Sequence, residues 1–554
     1  MEQPTRGCIR MLQLELGAYA EPVMQRLDRW CSDRWGQRLW QKDPTLWGPA
    51  GQPEIVDRLG WLDLPAVMPE QIEAFEAFAS EVQGAGIHTV VLLGMGGSSL
   101  AAEVFARTLA SVRQGLDLYV LDTTHPDTIA SVADGLDPGG TLFLVASKSG
   151  TTAETMALFR FFWHWVNDAG IDPGTRFVAI TDPGTPLDHL AQQRAFRAVF
   201  HAPPDVGGRF SALSVFGLLP AALAGVDISV LLATALQAAR ECGPDIDPRD
   251  NPGLRLGAAL GELALRGRDK VTLRADPPIA SFPLWLEQLI AESTGKSGRG
   301  CIPVVNEPDG FPGADGEDRV WVVMQVHGMH DPGLERGVIE RIGRGQPVIR
   351  MELPGLDAIG YAMFLWEVAI VAAGSVLEVH PLNQPDVQLA KDLTRAVLSG
   401  QLDMRAVHAA TVSVHDRDRL QKAWTEWQAQ IRPGDYIALQ AFLAPSPDVD
   451  QRIQALRKAL QDRHGVATTA GYGPRFLHST GQLHKGGPNI GVFLQLVDTP
   501  RRDLPIPEET YTFGDLIHAQ AAGDFAALRN RGRRVLRVHL GEDPCAGLDL
   551  LGTL

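Results

Sequence analysis

Cysteine is scarce in this 554-residue chain: Cys8, Cys31, Cys242, Cys301 and Cys545 are five in number, far apart, and include no Cys-x-x-Cys pair. That spacing argues against a disulfide framework or a thiol-rich zinc or redox site, and predicts reduced thiols in a cytoplasmic setting. Long apolar runs are missing too. The start MEQPTRGCIRMLQLELGAY has no uninterrupted apolar stretch, so no secretory leader is expected, and nothing reaches the ~18 apolar residues of a membrane span. Closest is ALSVFGLLPAALAGV (212–226), which Pro220 interrupts and Asp227 ends, a pattern that suits a buried core helix. Positive charge is in deficit: Lys plus Arg number 50 against 66 Asp plus Glu, a net charge of -16. Such a chain repels nucleic acid and anionic membrane unless it carries a local basic stripe. Arg529, Arg531, Arg533, Arg534 and Arg537 come nearest to one, but spread over a helix end and a strand they read as a solvated face.

What is present is an ordinary globular composition, 45% hydrophobic and 21% charged, in a chain long enough for two to four domains. From about residue 85, short β-branched runs alternate with helical stretches, the pattern of parallel strands joined by crossover helices. Candidate strands at 88–97, 116–124, 141–150 and 176–182 form a first doubly wound α/β lobe. A second series at 269–276, 319–328, 347–353, 435–443, 489–497 and 534–540 predicts a second lobe of the same kind. The expected division is a helical N-terminal arm with tryptophan anchors (1–54), a first phosphosugar-binding lobe (55–240), a second lobe (241–497), and a linker with a final helix and strand (498–554). The Pro-rich stretch DTPRRDLPIPEE (498–509) reads as polar linker.

Ligands of open α/β sheets bind beyond the C-terminal strand ends. Two loops there have the composition of a phosphate site: Gly94-Met95-Gly96-Gly97-Ser98-Ser99, whose glycines permit close backbone approach, and Ser147-Lys148-Ser149-Gly150-Thr151-Thr152, with four hydroxyls at a helix start. The alternative for the second loop is plain Ser/Thr capping. A dinucleotide reading would use Asp122 on a ribose, but Ser99 replaces the third glycine of that fingerprint. Thr294-Gly295-Lys296-Ser297 imitates a P-loop end, yet Ile290 stands where its first glycine belongs. Gln288 and Glu292 share a helix face at i, i+4, which makes Glu292 a candidate general base. Gly207-Gly208-Arg209 presents an arginine from a flexible turn, a candidate electrostatic clamp. His327, His330 and Asp331 are too few and too loosely spaced for a metal site, and His380 before Pro381 reads as a turn or packing residue.

Taken together, GMGGS, SKSGTTAET, GGRFS, QLIAESTGK, NQPDVQLAK and HSTGQLHKGG resemble the signatures of phosphoglucose isomerases, enzymes of two sugar-isomerase (SIS) lobes, over about residues 90 to 490. RLWQKDPTLWG and RLGWLDLP are similar to the isomerase half of bacterial transaldolase/phosphoglucose isomerase fusions; the transaldolase barrel itself, which needs some 250 residues or more, is absent from this sequence. The resemblance implies interconversion of glucose 6-phosphate and fructose 6-phosphate with neither metal nor redox cofactor. It implies a phosphate held by Ser98, Ser147, Ser149, Thr151 and Thr152, with Lys148 acting through its backbone and Gly96, Gly97 and Gly208 lining the site. Glu292 would then move a proton between C2 and C1, and Arg209 would stabilise the enediolate. His478 would open the sugar ring, Lys391 would assist at the anomeric hydroxyl, and Gln288 and Gln384 would bind the sugar chain or order Glu292. In the family the histidine motif follows the glutamate motif directly, whereas here Lys391 precedes His478. His484 therefore stays as an alternative to His478, and the histidine's action in its own chain or across a homodimer stays open. A separate transaldolase is the other protein partner the resemblance allows. A non-catalytic sugar-phosphate sensor and an isomerase that also takes mannose 6-phosphate are the rival functions.

Overall fold

A computed structural model describes residues 11–109, 115–309, 316–401 and 404–554, and its strands form three sheets of five. They are β1 (Leu12–Glu15), β2 (Thr89–Gly94), β3 (Asp117–Leu121), β4 (Thr141–Ala146), β5 (Phe177–Thr181), β6 (Ala198–His201), β7 (Lys270–Ala275), β8 (Ile302–Val305), β9 (Arg319–Val326), β10 (Val348–Leu353), β11 (Thr411–Ser413), β12 (Tyr436–Phe442), β13 (Ala467–Tyr472), β14 (Gly491–Val497) and β15 (Arg534–His539). The first sheet runs β3-β2-β4-β5-β6, all parallel. Its central strands β2, β4 and β5 are buried on both sides: Val90, Leu92, Leu142 and Leu144 pack into one core, and the alternate residues Val91, Leu93, Phe143 and Val145 into another. Period-2 alternation thus feeds two helix layers, which is why these strands read as continuous apolar runs.

The α/β class and the parallel winding are as expected, but the later strands do not make one lobe. β7 to β10 form a sheet of order β1-β10-β9-β7-β8, and β11 to β15 form a separate sheet of order β11-β15-β14-β12-β13. Alternation of apolar residues shows that a strand exists, not which strand it pairs with, so the second series concealed two sheets. The segment 498–554 supplies β15 to the third of them. The N-terminal arm is not purely helical: β1 pairs antiparallel with β10 as an edge strand. Its tryptophans do anchor it, Trp30 and Trp35 being buried and the indoles of Trp40 and Trp47 donating to the carbonyls of Cys242 (2.8 Å) and Val371 (2.7 Å). Cys8 lies outside the described residues; Cys31, Cys242, Cys301 and Cys545 are free thiols.

Two further expectations change. The stretch 498–509 is not a loose linker, since Leu504 and Ile506 are buried in the core that covers the first sheet and the backbone amides of Arg501 and Arg502 donate to the Asp127 carboxylate. The 212–226 stretch does contain a wholly buried helix, Val215–Leu223, which continues through Pro220. A longer apolar segment, Leu356–Val376, is long and apolar enough to cross a membrane but is almost wholly buried inside the protein. Glu367 disguised that segment in the sequence; burial pushes its carboxyl well above the usual range, toward the neutral acid.

Two connecting helices of the third sheet, Gly481–Gly486 and Phe513–Asn530, are joined by a buried ion pair, Lys485 Nζ to Asp524 at 2.5 Å, with side chains 1% and 0% exposed. Removing one member strands the other charge. Lys485→Met is expected to cost about 3–5 kcal/mol, read as a lower denaturant midpoint for the third sheet, and adding Asp524→Asn to it should recover part of the loss.

Candidate functional site

β2 and β4 are neighbours whose onward connections run to opposite sides of the first sheet, so the crevice beyond them is the topological switch point where such sheets take ligands. The loop after β2 turns at Gly96, which has φ +53, and the helix Ala153–Asp168 starts after the hydroxyl loop that follows β4. Both loops open on one cavity of about 340 Å³. Gly96, Gly97, Ser98, Lys148, Ser149, Thr152, Gly208, Arg209, Gln288, Glu292, Gln384, Lys391 and His478 all line it. Two expected residues do not: Ser147 is buried beneath the loop, sharing a hydrogen bond with Thr152 (2.8 Å), and Thr151 faces a neighbouring cavity of about 400 Å³ while bonded to Ser149 (3.0 Å). The Lys148 ammonium is held by Asp182 (2.6 Å) and the Pro204 carbonyl (3.1 Å), so its charge is already committed within the protein.

The glycines of the first loop let distant segments meet. A Cβ on Gly97 would stand 2.0 Å from the Gly208 carbonyl oxygen, and one on Gly96 would stand 2.6 Å from that of His478 and 2.9 Å from Gln288. Arg209 is thereby brought over the cavity at 3% exposure, held from every side. Its Nε donates to Ser293 (2.8 Å), Nη1 to Gln384 (3.3 Å), and Nη2 to the carbonyls of Pro381 and Asn383. Nη1 lies 3.6 Å from Glu292, which in turn accepts from Gln288 Nε2 at 3.0 Å. Burial lowers the guanidinium's pKa, and the Glu292 and Glu54 carboxylates oppose that. A desolvated cation next to a buried carboxylate is suited to a reaction in which negative charge develops between them.

His478, at the end of the turn Arg475–His478 after β13, reaches this cavity in its own chain. Its Nε2 lies 2.9 Å from Glu154 Oε1, and Glu154 also accepts from Gln520 (2.7 Å), whose own oxygen accepts from Thr124 (2.6 Å). Burial works to raise the Glu154 pKa, but the charge and hydrogen bond of His478 outweigh it and hold it at about 2. His484 is elsewhere: it is buried between Phe476 and Phe493, bonded to Gln440, and burial drives its pKa well down. His327 and His330 both contact Glu352, and Asp331 caps a helix, a polar loop as expected.

Sequence reasoning missed Glu154, Glu54, Arg58 and Asp182. Glu154 was legible within SKSGTTAET, but an acid in a first helical turn has a plain macrodipole role. Glu54 and Arg58 come from the N-terminal side, where nothing in the pattern points to the cavity. Asp122, the would-be ribose ligand, is instead paired with Arg475 at 3.1 Å.

A family model for phosphoglucose isomerase matches residues 66–300. The chain is 31% identical over 409 residues to a glucose-6-phosphate isomerase of Rubrobacter xylanophilus, covering 65% of this chain and 94% of the relative. It is 30% identical to one of Thermus thermophilus, covering 66% of this chain and 96% of that one. The solved structure of a hypothetical protein, also from Thermus thermophilus, superposes with a TM-score of 0.60 at 27% identity, over 70% of this chain and 100% of the other.

His380 gives the site a pH limit. Its Nδ1 accepts from the amides of Leu382 (3.2 Å) and Asn383 (3.3 Å), so Nε2 carries the proton toward the Pro53 carbonyl (3.1 Å); the loop so shaped carries the carbonyls that hold Arg209. Burial lowers the His380 pKa to about 4 from an ordinary ~6.5. The unfolded chain then binds the extra proton between these values, so stability is full above pH ~6.5 and declines as pH falls toward 4. His380→Gln should flatten that part of the stability profile, measured by denaturant unfolding at successive pH values; an unchanged slope would contradict the assignment.

Proposed function

The chain belongs to the phosphoglucose isomerase family, and we propose that it performs the family reaction, glucose 6-phosphate to fructose 6-phosphate and back, in this cavity. The observation that carries the reading is the meeting of Glu292, Arg209 and the His478–Glu154 pair in one crevice at the end of the hydroxyl loop. The phosphate is taken by Ser98, Ser149, Thr152 and loop amides, with Arg58 adding a cation on the same wall. His478 exchanges a proton with the ring oxygen while Glu154 orients its ring, and Lys391 serves the anomeric hydroxyl. Glu292 then carries the proton between C2 and C1 while Arg209 offsets the enediolate charge, and Gln288 and Gln384 hold the carboxylate and the guanidinium in register.

A sensor would need the phosphate loops alone, so the convergence of acid, base and cation supports an enzyme. The cytoplasm is the proposed location, in keeping with free thiols.

Three measurements follow. Wild type should convert fructose 6-phosphate, whereas Glu292→Gln, folded equally, should lose about 10²- to 10⁴-fold in kcat while still binding the sugar phosphate; equal turnover would move the base elsewhere. Arg209→Ala should lower kcat more than it raises KM, because its charge partner exists mainly in the transition state. Arg58→Gln should do the reverse, raising KM with kcat unchanged.

A further inference from the structure

Arg475 opens the turn that ends in His478, three residues on, and its guanidinium is the junction between that turn and the first sheet. Nη2 donates to Glu103 on the helix Leu100–Leu109, and Nη1 lies 3.1 Å from Asp122, just beyond β3. Both acids are buried to within 10% of side-chain exposure and belong to the lobe that carries the phosphate loops. Burial raises the Asp122 pKa, and the charge of Arg475 opposes that rise. On the other side of the turn the His478 carbonyl accepts from Gln288 (2.9 Å), and its ring meets Glu154. The third sheet therefore delivers its histidine by a short turn with one cationic fastening and one catalytic tip.

We infer that Arg475 is a positioning residue for ring opening: by gripping Glu103 and Asp122 it sets the turn so that the His478 ring stands against Glu154 and over the sugar's ring oxygen. The inference rests on the ring-opening role proposed for His478. It deepens that role because Glu292 and Arg209, which do the enediolate chemistry, sit on other segments, and the turn reaches Glu292 only through the shared Gln288 side chain. A misplacement of about 1 Å is enough to cost ~10²-fold, and here the large loss should fall on ring opening.

The test compares two substrates. Fructose 6-phosphate must be opened before it reacts, whereas 5-deoxyfructose 6-phosphate lacks the ring-forming hydroxyl and is always open. Turnover of both is followed in D2O by NMR, as exchange of the C1 proton. Arg475→Gln is expected to lower kcat/KM for fructose 6-phosphate by about 100-fold, to leave the 5-deoxy compound within about three-fold, and to be partly rescued in Arg475→Lys. Equal losses on both substrates would reveal a merely structural ion pair, and no loss on either an idle one; each overturns the inference. His478→Asn separates the underlying role, since it should show the same selective loss. If it does not, ring opening by His478 fails and the inference with it, but a selective His478→Asn beside a non-selective Arg475→Gln refutes Arg475 alone. Should Arg475→Gln not fold, Glu103→Gln leaves Asp122 holding the arginine and should give a milder loss of the same selectivity; a uniform loss there counts against the proposal.

Discussion

The site depends on one steric constraint, the absence of side chains at Gly96 and Gly97. The turn after β2 is where the Gly208–Arg209 backbone, the His478 carbonyl and Gln288 press together, at distances no Cβ would tolerate. These segments come from the first lobe, the third sheet and the helix Phe282–Thr294. A methyl group at either glycine would push one of them off, and with it a group that the proposed chemistry needs. Close backbone approach is thus what brings segments from three sheets and their helices to one crevice.

Around that contact the polar network is arranged so that few of the central groups can move alone. Arg209 has four partners besides Glu292, two of them carbonyls of the loop that His380 shapes. Gln482 bridges the Gly295 carbonyl at the end of the glutamate helix and the Asp386 carboxylate in the glutamine loop, so the elements bearing Glu292, Gln384 and His478 are braced together. Preorganisation of this kind places charges before the substrate arrives, which is where electrostatic stabilisation gains over water. Lys391 is the contrast: it stands exposed on the helix Val387–Leu398, whose described side chains are exposed or half-buried, and joins the cavity from its rim.

Much of this was legible in the residues. The apolar runs at 88–97, 141–150 and 435–443 announced parallel strands because both faces of each are buried, and the glycine and hydroxyl loops announced an anion site because they follow two such strands. What was not legible was pairing and proximity. β6, β8 and β11 have only three or four residues, and β13, ATTAGY, is interrupted by threonines and a glycine, so they lack the long apolar run that reveals a strand. The division of the second series into two sheets depends on hydrogen-bond partners that periodicity does not encode. His478 and His484 lie six residues apart in one motif; only the fold shows that the first ends a turn at the cavity and the second is sealed between aromatic rings. Asp122 looked like a ribose ligand because a strand-end acid is all that a sequence shows, and its arginine is more than 350 positions away.

The central claim is that Glu292 and His478 of a single chain serve a single site. Co-expressing the inactive variants Glu292→Gln and His478→Asn tests it directly, since in any mixed assembly a site shared between subunits would pair one intact glutamate with one intact histidine. The account predicts that fructose 6-phosphate turnover in the mixture stays at the level of the separate variants. Recovery of a substantial fraction of wild-type activity would contradict it and place the histidine in a neighbouring subunit's site.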